Sequence, residues 1–149
     1  MEEGKLSKKD IKIVIAAHKP YRMPEDTMYV PLHVGAEGKK NPDGTPLDLG
    51  YQKDNEGDNI SAKNPYYCEL TGIYYAWKNI PAEYLGLVHY RRYFKGKNKS
   101  KDPFACIVTE PEMEKIFETH RIVVPKKRKY YIETLYSHYA HTHYAEHLA

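Results

Sequence analysis

Near its N-terminus the chain carries a run of apolar residues that predicts a buried strand. Residues 11–17 read Ile-Lys-Ile-Val-Ile-Ala-Ala, so nearly every position is apolar and most are β-branched. A strand with water on one face alternates apolar and polar residues, whereas a strand covered on both faces does not. Such strands are typical of parallel sheets with helices on both faces. The run therefore predicts an α/β fold with a largely parallel sheet.

The rest of the chain alternates strands with helices, as this fold class requires. We predict strands at residues 29–35, 84–89 and 121–125, helices at 64–78, 109–120 and 131–149, and a long loop at 39–59. In the helix at 64–78, Asn64 is the expected N-cap and Pro65 the first helical residue. Its expected buried stripe consists of Tyr66, Leu70, Ile73, Tyr74 and Trp77.

Composition limits the class of protein. The 149 residues make one domain, and 23 basic against 20 acidic residues give a net charge of +3, short of a dedicated nucleic-acid binder. Cys68 and Cys106 have no metal-ligand or disulfide pattern, which favours a reducing, cytoplasmic compartment. Residues 1–10 are expected to be a flexible segment without a signal core, and basic patches could contact the inner face of the cell membrane.

Polar side chains follow two of the predicted strands. Residues 86–94 read Gly-Leu-Val-His-Tyr-Arg-Arg-Tyr-Phe, so His89 and two arginines stand where that strand surfaces, and His18 ends the first strand. Ligands of open α/β sheets bind at such strand ends. A guanidinium fork there suits a phosphate or carboxylate, although a solvated basic turn is the alternative. Lys63 and Asn64, at a helix start, form a second candidate anion contact.

Two sets of residues could bind metal, but for both of them a purely structural role is favoured over metal binding. Asp54, Glu56 and Asp58 could coordinate a divalent cation through oxygens, but they lack the spacing of a calcium loop and favour a solvated turn. Four histidines of the last helix have ligand-compatible spacing without a glutamate or cysteine to complete a zinc site. They are His138, His141, His143 and His147. We therefore assign no metal ligands.

Several segments, read together, resemble one family. They are residues 13–19 (Ile-Val-Ile-Ala-Ala-His-Lys), 57–64 (Gly-Asp-Asn-Ile-Ser-Ala-Lys-Asn), 68–71 (Cys-Glu-Leu-Thr), 75–79 (Tyr-Ala-Trp-Lys-Asn) and 86–94. In this order they resemble the DUF4422 family. Its members occur in bacterial capsule and exopolysaccharide gene clusters and act as glycosyltransferases, and some of them transfer galactofuranose. The resemblance covers residues 11–149. Members run on further, so the resemblance implies that the chain lacks a C-terminal part that carries acceptor-binding elements and could also carry the catalytic base.

The resemblance implies a GT-A-like, Rossmann-like fold for nucleotide-sugar transfer. In that fold the strand after the phosphate-binding helix normally ends in an acidic DxD-like motif that holds Mn²⁺ or Mg²⁺. Here the strand leads into His89-Tyr90-Arg91. Arg91 or Arg92 could neutralise the leaving diphosphate directly, which predicts metal-independent or weakly metal-dependent chemistry, with a divalent cation as the open alternative.

The resemblance also implies residue roles and partners. Arg91, Arg92 and His89 are the expected catalytic residues, and the expected substrate-binding residues are His18, Lys19, Asp58, Asn59, Lys63, Asn64, Glu69 and Tyr90. The expected donor is a nucleotide sugar, UDP-linked by preference, and the acceptor a growing surface polysaccharide or a lipid-linked saccharide. The rival hypothesis is a non-catalytic binder of nucleic acid or anionic polymer that uses residues 89–94 as a stacking platform.

Overall fold

Four parallel strands form one sheet in the part of the chain that the structure, a computed structural model, describes: residues 8–132 and 134–142. They are β1 (Ile11–Ala17), β2 (Tyr29–His33), β3 (Gln52–Lys53) and β4 (Tyr84–His89), in the order β3-β2-β1-β4. Between its neighbours β2 and β4, β1 is buried at six of its seven positions. The predicted α/β fold with a parallel sheet is thereby confirmed.

The two faces of β1 belong to two separate cores. Ile11, Ile13 and Ile15 pack on one side of the sheet, in a cluster that also holds Met28 and Met113. Val14 and Ala16 pack on the other side, in a cluster that includes Leu32, Tyr75 and Ala76. Side chains alternate along a strand, so an uninterrupted apolar run is what a strand between two cores needs.

The sheet differs from the sequence prediction at its margins. β2 ends at His33, two residues earlier than predicted, and the two-residue β3 lies inside the predicted 39–59 loop. A strand of two residues carries no periodicity that sequence reasoning could detect. The first seven residues of the predicted flexible N-terminal segment lie outside the described residues.

The predicted helix at 64–78 is two helices. α1 (Asn64–Tyr67) and α2 (Leu70–Asn79) are separated at Cys68, whose φ of 48° lies in the left-handed region. Lys63 occupies the N-cap position without a side-chain capping bond, and Asn64 is the first helical residue, so the predicted cap is wrong by one position. The Asn64 side chain instead bonds within the fold, as described below.

The predicted buried stripe of this region is also wrong. Tyr66 is 84% exposed and Trp77 65% exposed, and Leu70 is exposed as well. The buried residues of α2 are instead Thr71, Gly72, Tyr75 and Ala76. A Cβ at Gly72 would lie 2.7 Å from Val34 Cγ1, so at this position the helix lies too close to the sheet for any side chain. Apolar spacing alone does not reveal which stripe permits this approach.

The C-terminal third confirms one prediction and corrects another. α3 (Glu110–Ile116) begins with a capping box between Thr109 and Glu112, close to the predicted start. Residues 121–125 form no strand; Val123 packs on the core, while Ile122 and Val124 are exposed. A β-branched run becomes a strand only where a neighbour supplies backbone hydrogen bonds. α4 (Leu135–Thr142) lies within the predicted last helix.

Candidate active site

The carboxyl ends of β1 and β4 meet at one edge of the sheet and border a cleft. Ala16 pairs with His89 in the strand register, and His18 follows the end of β1. The cleft has a volume of about 200 Å³ and also faces α1 and the α1–α2 junction. Its lining residues are Ala16, His18, Val34, Asn64, Cys68, Glu69 and His89. We call it the edge cleft; open α/β sheets bind ligands in such crevices.

Glu69 and His89 form a polar pair in the edge cleft. His89 Nε2 lies 3.6 Å from Glu69 Oε1, and the backbone N–H of Arg91 donates to His89 Nδ1 over 3.4 Å. Because Nδ1 accepts this hydrogen bond, the neutral ring carries its proton on Nε2, which lies toward the carboxylate. Burial lowers the pKa of His89; Glu69 opposes this shift, and cationic neighbours, first Arg92, reinforce it. A neutral imidazole beside a carboxylate can exchange a proton with a bound hydroxyl.

A buried carboxylate, Asp54, fixes the wall of the edge cleft. It is fully buried and accepts hydrogen bonds from the backbone N–H groups of Gly35 (2.8 Å) and Ala36 (3.0 Å). The hydroxyls of Ser61 and Thr71 also donate to it. These bonds join the turn after β2 to the start of α2. The solvated turn that the sequence favoured is therefore wrong for Asp54, because this residue directly follows β3 and points into the fold.

Asn64 completes this wall. Its Nδ2 donates to the backbone oxygen of Cys68 (2.9 Å) and to Thr71 Oγ1 (3.1 Å). Gly35, across from it, has a φ of 65°, and a Cβ there would lie 2.4 Å from Asn64 Oδ1. Glycine satisfies both the backbone angle and the close approach. The amide nitrogen of Asn64 thus has partners within the fold, while the residue still lines the cleft.

Aromatic rings cluster beside the same sheet edge. Tyr21 and Tyr90 stack with centroids 3.7 Å apart, and His18 meets Tyr90 edge-on at 5.5 Å. The Tyr51 hydroxyl accepts from the Tyr21 N–H and donates to the Tyr21 carbonyl, both at 3.0 Å, which fixes the position of Tyr21. Sequence reasoning found His18 and Tyr90 but missed Tyr21, because no local pattern links a loop tyrosine to the end of a distant strand.

The two arginines leave β4 in different directions. The Arg92 N–H donates to the His89 carbonyl over 2.8 Å, so the chain turns sharply after the strand. The Arg91 guanidinium lies 5.2 Å from the centroid of the Tyr90 ring. Arg92 instead lines a second cleft of about 610 Å³, which we call the basic cleft. Its lining residues are Leu87, Val88, His89, Arg92, Tyr93, Phe94, Pro125, Lys126, Lys127 and Arg128.

Five residues predicted to bind substrate do not line the edge cleft, and one of them is Tyr90, which stacks on Tyr21. Asp58 accepts from the Tyr74 hydroxyl (3.0 Å), and its carbonyl accepts from Asn79, which ends α2. This places Asp58, and Asn59 after it, at the far end of α2 from Glu69. Lys19 and Lys63 are exposed and do not line the cleft. The structure therefore brings together His18, Asn64, Glu69 and His89 from the predicted set.

The residues considered as metal ligands form no cluster in the described part of the chain. Within residues 8–132 and 134–142, no three His, Cys, Asp or Glu side chains converge in a way that could hold a metal ion. Two of the four histidines in the sequence-based zinc hypothesis, His143 and His147, lie outside the described residues.

No helix in the described part of the chain is long and apolar enough to cross a membrane.

Comparisons with known proteins agree with this architecture. The chain is similar to the solved apo structure of the WbbM bifunctional glycosyltransferase, with 40% identity and a TM-score of 0.52 over 63% of this chain. This chain covers 16% of the length of that protein. No curated protein matches the chain. The family model described as a domain of unknown function, DUF4422, matches residues 12–149, and the chain therefore belongs to the DUF4422 family.

Proposed function

We propose that the protein is a glycosyltransferase that binds a nucleotide-sugar donor at the carboxyl edge of its sheet. The observation that carries this proposal is the meeting of a proton-transfer pair, Glu69 and His89, with cationic Arg92 at the end of one strand. The similarity to a bifunctional glycosyltransferase supports the same reaction class. A UDP-linked sugar, such as UDP-galactofuranose, and a surface-polysaccharide or lipid-linked acceptor are the finer parts of the proposal.

The volume of the edge cleft suits one part of the donor. Sites for whole small-molecule ligands have volumes of about 300–1,000 Å³, and the edge cleft, at about 200 Å³, is smaller. A single sugar ring is a better match for this volume. His18 and His89 would hydrogen-bond its hydroxyls, because a neutral imidazole has one donor and one acceptor nitrogen. We keep the predicted substrate contacts of four residues outside the edge cleft as part of the proposal: Lys19, Asp58, Asn59 and Lys63.

In the proposed reaction the bond between the anomeric carbon and the diphosphate oxygen breaks, and the acceptor oxygen bonds to that carbon. The diphosphate leaves with the electron pair, and the acceptor hydroxyl gives its proton to a base. Glu69 is our candidate for that base, because His89 accepts from the Arg91 N–H at Nδ1 and directs its Nε2 proton toward Glu69, which leaves the free lone pairs on the carboxylate. Arg91 or Arg92 would stabilise the charge on the departing diphosphate. A divalent cation, Mn²⁺ or Mg²⁺, stays an alternative for part of that role.

The rival hypothesis of a nucleic-acid binder fits the aromatic residues less well. A stacking platform needs ring faces that are open to bases, but Tyr90, Tyr93 and Phe94 pack against the core cluster of β1. We therefore keep this hypothesis only as an outcome of the test. A cytoplasmic location with peripheral membrane contact is part of the proposal for the whole protein.

Calorimetric titration with UDP-, GDP-, CMP- and dTDP-sugars, with and without Mn²⁺, tests the proposal. We expect binding of a UDP-sugar, and we expect Glu69→Gln to reduce turnover by about 100-fold or more with little change in donor affinity. The matched control is Glu56→Gln, an exposed residue outside both clefts, which should leave both quantities unchanged. If circular dichroism shows a folded protein that binds no nucleotide sugar but binds single-stranded RNA with strong salt dependence, the rival hypothesis is favoured.

A further inference from the structure

We propose that the basic cleft holds the diphosphate of the sugar donor, with Arg92 and residues 126–128 as its cationic wall. This inference rests on the proposed function and extends it to the segment at residues 125–128. These residues line the same cleft as Arg92 and the last residues of β4. The segment thus adds three cations to an arginine from a different part of the chain.

The charges of the basic cleft favour a multivalent anion. Arg92, Lys126, Lys127 and Arg128 line it, all four are exposed, and none of the described residues that line it is acidic. Four like charges around one concavity repel each other until an anion neutralises them. A diphosphate has two phosphate groups within a few bonds, so guanidinium forks and ammonium groups can bind both.

The basic cleft also suits a ligand that has an apolar or aromatic part. Leu87, Val88, Phe94 and Pro125 are among its lining residues, and the volume of about 610 Å³ lies within the usual range for a small-molecule site.

The two clefts share His89, so one ligand can occupy both. His89 lines the edge cleft and the basic cleft. A donor with its sugar in the first and its diphosphate in the second would cross the strand end at this residue. Arg91 is absent from the residues that line either cleft and lies over the Tyr90 ring. Of the two adjacent arginines, Arg92 is thus the diphosphate contact.

Titration with inorganic pyrophosphate and with UDP tests this assignment. The variant Lys126→Gln/Lys127→Gln/Arg128→Gln should lose about tenfold or more in affinity for both probes, since it removes three cations from one site. The control Lys97→Gln/Lys99→Gln/Lys101→Gln removes the same charge from exposed positions outside the basic cleft and should change either affinity by less than about twofold. Arg92→Gln should weaken pyrophosphate binding more than Arg91→Gln does. Circular dichroism verifies that each variant is folded.

The outcomes separate this inference from the proposed function. UDP affinity that is equal in the wild type and the 126–128 variant overturns the inference and leaves the proposed function standing. Pyrophosphate binding that depends on residues 126–128, without binding of any nucleotide, upholds the anion site and overturns the proposed function. Farnesyl diphosphate that binds more tightly than UDP overturns the donor assignment in favour of a lipid-linked diphosphate. A wild-type protein that does not bind pyrophosphate overturns the inference outright.

Discussion

Replacement of Asp54 by asparagine tests whether this buried carboxylate stabilises the wall of the edge cleft. Gly35 N–H and Thr71 Oγ1 donate to Asp54 Oδ2, and Ala36 N–H and Ser61 Oγ donate to Oδ1. In Asp54→Asn one of these oxygens becomes an NH₂ group. Whichever oxygen is lost, one backbone N–H then faces another donor, because the hydroxyl beside it can rotate but the N–H cannot.

The size of the effect follows from this geometry. A buried donor that loses its partner costs about 1–3 kcal/mol, and bonds to a charged acceptor are worth about 1.5–3 kcal/mol against about 1 kcal/mol for neutral ones. One unsatisfied N–H together with three weakened bonds gives a loss of about 2–5 kcal/mol. Because small domains have total stabilities of about 5–15 kcal/mol, the loss is easily measured.

Urea denaturation followed by circular dichroism measures the free energy of unfolding of the wild type and the variants. The control is Asp48→Asn, since Asp48 is exposed and accepts one bond, from Gly50 N–H; we expect a change of less than about 1 kcal/mol there. If Asp54→Asn changes the unfolding free energy by less than about 1 kcal/mol, our account of this carboxylate is refuted.

Two further predictions concern the same region. Gly35→Ala should destabilise the protein by about 1–3 kcal/mol, because the φ of 65° is strained for alanine and the new Cβ would also collide with Asn64 Oδ1. The control is Gly44→Ala, at a φ of 86° with nothing within 4 Å of the new Cβ, which has the backbone strain without the collision. The free energy of unfolding should also fall as the pH drops from about 7 to about 5. Burial lowers the folded-state pKa of His33 and His89 below the unfolded value of about 6.5. As the pH falls through that value, the unfolded chain takes up protons before the folded chain does, so the stability that is present at higher pH is lost. Urea titrations at several pH values measure this slope, which His33→Gln should make shallower; a flat wild-type profile would contradict the reasoning.

The sequence predicted the parts of this fold that depend on local chemistry. The apolar run of β1 could only be buried on both faces, and the Thr109–Glu112 capping box marked the start of α3. The same reasoning failed for the helix at 64–78. There the left-handed Cys68 divides the helix, and the close approach at Gly72 decides which stripe faces the sheet. Both depend on neighbours that come from elsewhere in the chain.

The candidate site shows the same division. From the sequence alone, His18 and His89 follow strands and two arginines follow His89, because chain order and strand direction determine which residues reach the sheet edge. Only the tertiary structure decided that Glu69 lies beside His89, that Asp54 is buried, and that residues 126–128 line the same cleft as Arg92. These relations join segments far apart in the sequence. Their distances depend on how α2 and the C-terminal segment pack against the sheet, which no local pattern of residues records.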